Sequence, residues 1–218
     1  MKLNLTIKLL QNEAYKFSKK ESKHKEPTLY GVTDGKAVGT YLEHKFQKYL
    51  FKKYSYIEGN AASGIDFPEL KVDMKVTSIK QPQSSCPYKS AKQKIFGLGY
   101  SLLVFVYEKK DDIKTQKGNL NIVHTVFIES HRTADFQMTT GLQHILNNDG
   151  NIDDIVAFLR DKNLPIDYDI EGKKISEMLL KKPPKTGYLT ISNALQWRLQ
   201  YSRVIAKAGE IDGIIKVI

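Results

Sequence analysis

Asp73-Met74-Lys75 sets a carboxylate and an ammonium two residues apart. On an extended strand that spacing puts both on one face, about 7 Å apart. Seven residues earlier stands Asp66, just past the small-residue turn Glu58-Gly-Asn-Ala-Ala-Ser-Gly64. Two carboxylates suit a hard divalent cation whose remaining coordination goes to water and phosphate oxygens. Such a cation lowers the pKa of a bound water and neutralises charge that builds on a phosphate. Lys75 beside it would orient that water and stabilise the transition state.

An Asp-x-Lys tripeptide is a weak signal alone. With 13 Asp and 30 Lys, chance gives roughly two, and three occur. Asp34-Gly-Lys36 sits in a glycine turn, and Asp112-Ile-Lys114 sits in a charged loop between two strands. Only Asp73-Met-Lys75 lies on a well-patterned strand, with Leu70, Val72, Met74 and Val76 alternating against Lys71, Asp73, Lys75 and Thr77. The apolar face can anchor such a strand in a core, which holds distances better than a loop does.

The surrounding pattern is mixed α/β. After the charged run 18–26, read as a solvated loop, Val38, Leu42, Phe46, Tyr49 and Leu50 predict an amphipathic helix over 36–54, with Lys45, Lys48, Lys52 and Lys53 off the apolar stripe. Residues 70–77 predict a strand, 81–87 a polar loop, and 88–96 a short helix. The run 100–108 is nearly all apolar and predicts a strand buried on both faces. A further strand is expected over 120–130 and a helix over 133–147. The remainder reads as helices over 152–162, 171–181 and 192–208, then a strand over 214–218. The expected division is a core with an N-terminal extension over 1–148 and a helical C-terminal region over 149–218.

Gly64-Ile65-Asp66 followed by Asp73-Met-Lys75, in helix–strand–strand–helix–strand order, resembles the PD-(D/E)xK nuclease core of type II restriction endonucleases. The resemblance covers roughly residues 36–130. It maps the family's acid, acid and lysine onto Asp66, Asp73 and Lys75, with Glu69 competing for the first position. Ile65 stands where the family has proline, and the second acid is Asp. Many members add a glutamate from the preceding helix, and Glu43 fits, on the flank of the buried stripe. The resemblance implies a restriction-endonuclease-like mixed sheet flanked by helices. It also implies Mg²⁺ held by Asp66, Asp73 and Glu43, and cleavage of double-stranded DNA at a short specific sequence to leave 5′-phosphates. A cognate DNA methyltransferase would accompany it. The alternatives are a repair or junction-resolving nuclease with the same core, or a non-catalytic winged-helix regulator.

Two segments offer groups for DNA. Lys80, Gln81, Gln83, Ser84 and Ser85 follow the Asp73–Lys75 strand directly, and such groups read bases or meet phosphates when the loop is not simply solvated. In 192–208, Asn193, Gln196, Arg198 and Arg203 would serve a winged-helix-like recognition helix. The other reading of that segment is a helical cap or a dimer surface. One metal site per chain and two strands to cut point to a symmetric homodimer on a palindromic site.

Composition bounds these readings. The chain has 218 residues, 34 Lys and Arg against 24 acids, a net charge of +10 and a pI near 9.4, which favours a polyanionic partner. Cys86 is the single cysteine, so an intrachain disulfide and a thiolate zinc site are both excluded. The five histidines contain no His-x-x-x-His pair. No apolar run approaches the roughly 20 residues of a membrane span, and no secretory core opens the chain, so a cytoplasmic location is expected.

Overall fold

A capped amphipathic helix and a strand with one apolar face carry three of the four candidate catalytic residues, Glu43, Asp73 and Lys75, in the computed structural model, which describes residues 2–59, 64–86, 89–192 and 197–218. The strands are β1 (Leu3–Asn4), β2 (Lys25–Glu26), β3 (Tyr54–Ser55), β4 (Val72–Ser78), β5 (Gln83–Cys86), β6 (Ser101–Asp112), β7 (Lys117–Ile128), β8 (Thr190–Ser192), β9 (Trp197–Gln200) and β10 (Ile214–Lys216). The helices are α1 (Ile7–Glu21), α2 (Gly35–Phe51), α3 (Gln93–Phe96), α4 (Phe136–Asn147), α5 (Ile152–Asp161), α6 (Lys173–Lys181) and α7 (Ser202–Lys207). They form two compact units, one of residues 1–84, 101–128 and 204–218, the other of 85–100 and 129–203.

The first unit is built on the expected mixed sheet, in the order β10-β7-β6-β4, with β2 also paired to β7. β4 runs parallel to β6, while β6–β7 and β7–β10 are antiparallel. Leu102 through Val106 on β6 are fully buried, as the continuous apolar run predicts. Helix α2 starts where Asp34 accepts hydrogen bonds from the Lys36 and Ala37 amides at 3.0 and 3.2 Å. Its stripe of Val38, Leu42, Phe46 and Leu50 is buried with Val72 and Met74 of β4 in one core. Phe46 packs its ring 4.9 Å from Phe17 of α1 and 5.1 Å from Phe105 of β6. Each such side chain contributes about 1.5–3 kcal/mol through burial.

The run 18–26 is not the expected solvated loop, since α1 continues through Glu21 and β2 follows it. Leu10, Ala14 and Phe17 start a helical stripe that Ser18 and Glu21 extend with polar groups. Those groups are satisfied inside: Ser18 Oγ lies 2.8 Å from Thr125 Oγ1, and Glu21 takes the Lys45 ammonium at 2.9 Å. The 81–87 loop is also shorter than expected. Residues 83–86 form β5, and the Gln83 amide donates to Thr77 Oγ1 at 3.0 Å.

In the second unit α4 is capped by Asp135, which accepts from the Met138 amide at 2.8 Å. A capping box of Asn151 and Asp154 starts α5. Met138, Leu142, Ile155, Leu159, Ile175 and Leu179 of α4, α5 and α6 share its core. The single helix expected over 192–208 does not form. Residues 197–200 are strand β9, paired antiparallel with β8 in the register Ile191↔Leu199, and among the described residues of this segment helix is present only in α7. Period two decides the strand, with Leu199 buried between exposed Arg198 and Gln200. The winged-helix-like reading thereby loses its recognition helix.

Candidate active site

Strand β4 turns Val72 and Met74 to the core and sends Asp73 and Lys75 to its other face. The Lys75 ammonium lies 2.8 Å from Asp73 Oδ2, with the two side chains 20% and 5% exposed. Oδ2 is buried and accepts no hydrogen bond, so the ammonium is close enough for an ion pair without being aligned for a bond.

A tight turn delivers Asp66 to this pair. Phe67 and Val72 pair with each other, the Phe67 amide reaching the Val72 carbonyl at 2.9 Å and the reverse bond measuring 3.2 Å. Pro68 starts the single helical turn between them, and Lys71 closes it at φ +51°. The chain is folded back so far that the Met74 amide donates to Asp66 Oδ2 at 2.7 Å. Glu69, the competitor for this role, accepts from the Ile57 amide at 3.0 Å and does not line the cavity that Asp66 lines.

Glu43 arrives from α2. Gly39 lies against β4, where an added Cβ would stand 4.0 Å from Val76 Cβ. Four residues on, the same helix face carries Glu43. Glu43, Asp66, Asp73 and Lys75 line one cavity of about 610 Å³, all within the first unit. His44, Gln47 and Lys48 of α2 and Glu58 also line it. The sequence reading missed these four. Placing Glu43 at the site makes Gln47, four residues on, a same-face neighbour, and that spacing was the available signal.

Burial pushes the Asp73 carboxyl up to about 7, outweighing Lys75, which lowers it, and Asp66 adds to the rise. Burial also raises Glu43, against the pull of Lys75 and with Asp73 adding to it. For Lys75, burial favours the neutral amine, but Asp73, Asp66 and Glu43 together outweigh it and raise its pKa. One firmly charged ammonium therefore faces three acids, an imbalance that a divalent cation relieves. Among the described residues no three His, Cys, Asp or Glu side chains form a ready coordination cluster. The hard oxygen donors, with Asp73 Oδ2 left without a hydrogen bond, nonetheless fit a cation that shares its shell with water and phosphate.

None of the described candidate DNA-reading residues lines this cavity. Lys80, Gln81, Gln83, Ser84 and Ser85 do not line the cavity. Exposed Arg198 is on β9. The Arg203 guanidinium is half-buried, 3.9 Å from the Phe136 ring centre. Asn193 and Gln196 lie outside the described residues. No described helix is long and apolar enough to cross a membrane.

A family model for the type II restriction enzyme NspV matches residues 4–216. The type II restriction enzyme NspV of Nostoc sp. is 62% identical over 213 residues, covering 98% of this chain and 96% of its own. No solved structure matches the chain. Matched nearly end to end, with an Asp-x-Lys strand beside two further acids in one cavity, the chain belongs to the NspV family of type II restriction enzymes.

Proposed function

We propose that this chain cleaves double-stranded DNA at a short specific sequence with PD-(D/E)xK chemistry, leaving 5′-phosphate ends. The observation that carries the chemistry is the convergence of Glu43, Asp66, Asp73 and Lys75 on one cavity. Asp66, Asp73 and Glu43 would hold Mg²⁺, which when bound supplies an acidified water and neutralises charge on the phosphate. Lys75 is a donor in this scheme and not a base, because its raised pKa keeps it an ammonium at neutral pH. It donates to the attacking water or to a phosphoryl oxygen, and it stabilises the negative charge that develops as water attacks in line. The Met74 amide holds the Asp66 carboxylate against β4, so the first acid is positioned before substrate arrives.

The chain would act in the cytoplasm as a homodimer that presents one site to each strand of a palindrome, beside a methyltransferase that protects the host's own sites. Incubation with supercoiled plasmid tests the reading. Discrete bands with MgCl₂, none with EDTA and none for Asp73→Asn are expected. Absence of Mg²⁺-dependent cleavage on plasmids of varied sequence overturns it. Light scattering with a cut-site duplex should find two chains per duplex.

A further inference from the structure

We propose that Lys20, Lys48 and Lys52 form a track that carries the phosphate backbone of a DNA strand to the catalytic cavity; this rests on the nuclease reading above. A groove of about 420 Å³ runs between α1 and α2, floored by Phe17 and Tyr49. Five lysines line it and Glu21 is its one acid. Two of the five are already engaged. Lys45 holds Glu21 at 2.9 Å, and Lys53 holds Glu13 at 2.5 Å. The remaining three, Lys20, Lys48 and Lys52, are exposed, and among the described residues none of them makes an ion pair.

Position gives this surplus charge a direction. Lys48 lines the groove and the catalytic cavity alike, so the two hollows meet at its side chain. Lys48 and Lys52 also line a third hollow with Phe51 and Glu58, and Glu58 pairs with neither. Residues four apart lie on one helix edge, here about 6 Å along the axis, close to two base-pair rises of about 3.4 Å. The cavity itself is rich in carboxylates, which repel a polyanion. A strand reaching it gains from cations at its mouth, where Lys48 stands. Lysines meet phosphates as point charges and carry no sequence information, so the track positions the duplex without choosing the site.

The test is fluorescence anisotropy on a duplex of arbitrary sequence in EDTA, across a KCl series. The triple variant Lys20→Ala, Lys48→Ala, Lys52→Ala should flatten the slope of log K against log[KCl] by about 2.7, at about 0.9 per lost phosphate contact. Lys48→Arg should keep the wild-type slope. A second triple variant, Lys8→Ala, Lys110→Ala, Lys114→Ala, removes equal charge elsewhere and should also keep it. A wild-type slope in the track variant, with an unchanged melting temperature, overturns the track while leaving the nuclease intact. Equal flattening in both triple variants overturns it as well, in favour of diffuse charge. A wild-type protein that neither binds nor cuts duplex DNA removes the underlying nuclease reading and the track with it.

Discussion

The Asp66 carboxylate accepts a 2.7 Å hydrogen bond from the amide of Met74, the residue that separates Asp73 from Lys75. Charge and tether can therefore be removed separately. Asp66→Asn keeps an acceptor oxygen for the amide and loses the charge, whereas Asp66→Ala loses both. The Asn variant should unfold at close to the wild-type denaturant midpoint, and the Ala variant should lose about 1 kcal/mol. Neither should cut plasmid. If Glu69→Gln were inactive and Asp66→Asn active, the first acid would be Glu69.

Lys75→Ala should lower the cleavage rate at least about a hundredfold, the scale of losing one donor aimed at transition-state charge. DNA retention in a gel shift should persist, because affinity is spread over many phosphate contacts. Cleavage at a near wild-type rate would show that the assignment is wrong.

The buried Asp73 carboxyl, pushed up to about 7, ties stability to pH, and under the proposed metal-binding role it would tie metal use to pH in the opposite sense. Its folded pKa lies above the ordinary 3.8, so its contribution to stability is fully present below about pH 3.8 and is lost as pH rises through about 7. Asp73→Asn should accordingly raise the melting temperature of the metal-free protein at pH 8 more than at pH 5. A cation must displace the same proton, so the Mg²⁺ concentration for half-maximal cleavage should be about tenfold higher at pH 6 than at pH 8. A half-maximal concentration independent of pH would remove Asp73 from the metal set.

Glu13 behaves in the reverse way and lies outside the cavity that Asp73 lines. Burial raises its pKa, but hydrogen bonds from Lys53, Tyr49 and Lys16 outweigh burial and bring it down to about 2. Its stabilising contribution is present above pH 4.5 and is lost as pH falls toward 2. Lys16 and Lys53 are 61% and 40% exposed, so solvent screens them. Glu13→Gln should cost about 2 kcal/mol at pH 7 and almost nothing at pH 2 in denaturant titrations.

Helix α2 and strands β4 and β6 were legible because each repeats one signal: a 3.6-residue stripe, a two-residue alternation and an unbroken apolar run. The motif on β4 was legible for the same reason, since its strand was. Helix α1 was missed because Ser18 and Glu21 continue its stripe with polar groups, whose partners Thr125 and Lys45 lie far away in sequence. Strand β9 was missed because Leu195 and Leu199 also satisfy helical spacing, and four residues of alternation are too few to outvote it. Lys48 was set aside as facing away from the apolar stripe, and the direction it faces is the edge of the cavity.

β7 meets β10 in the register Ile214↔Ile128, while β2 pairs with its other half at Lys25↔Asn119. A ribosome releases β2, β4, β6 and β7 before it has made most of the second unit, residues 129–203, and only then makes β10. At about 5–20 residues per second the gap lasts roughly 4–17 s. During it the Val126–Ile128 stretch of β7 has an unpaired edge, open to strands of neighbouring nascent chains. Slower synthesis or crowded polysomes should therefore favour aggregation of this nuclease over its release as a folded enzyme, and co-expression of a holding chaperone that covers the open edge should raise the soluble yield.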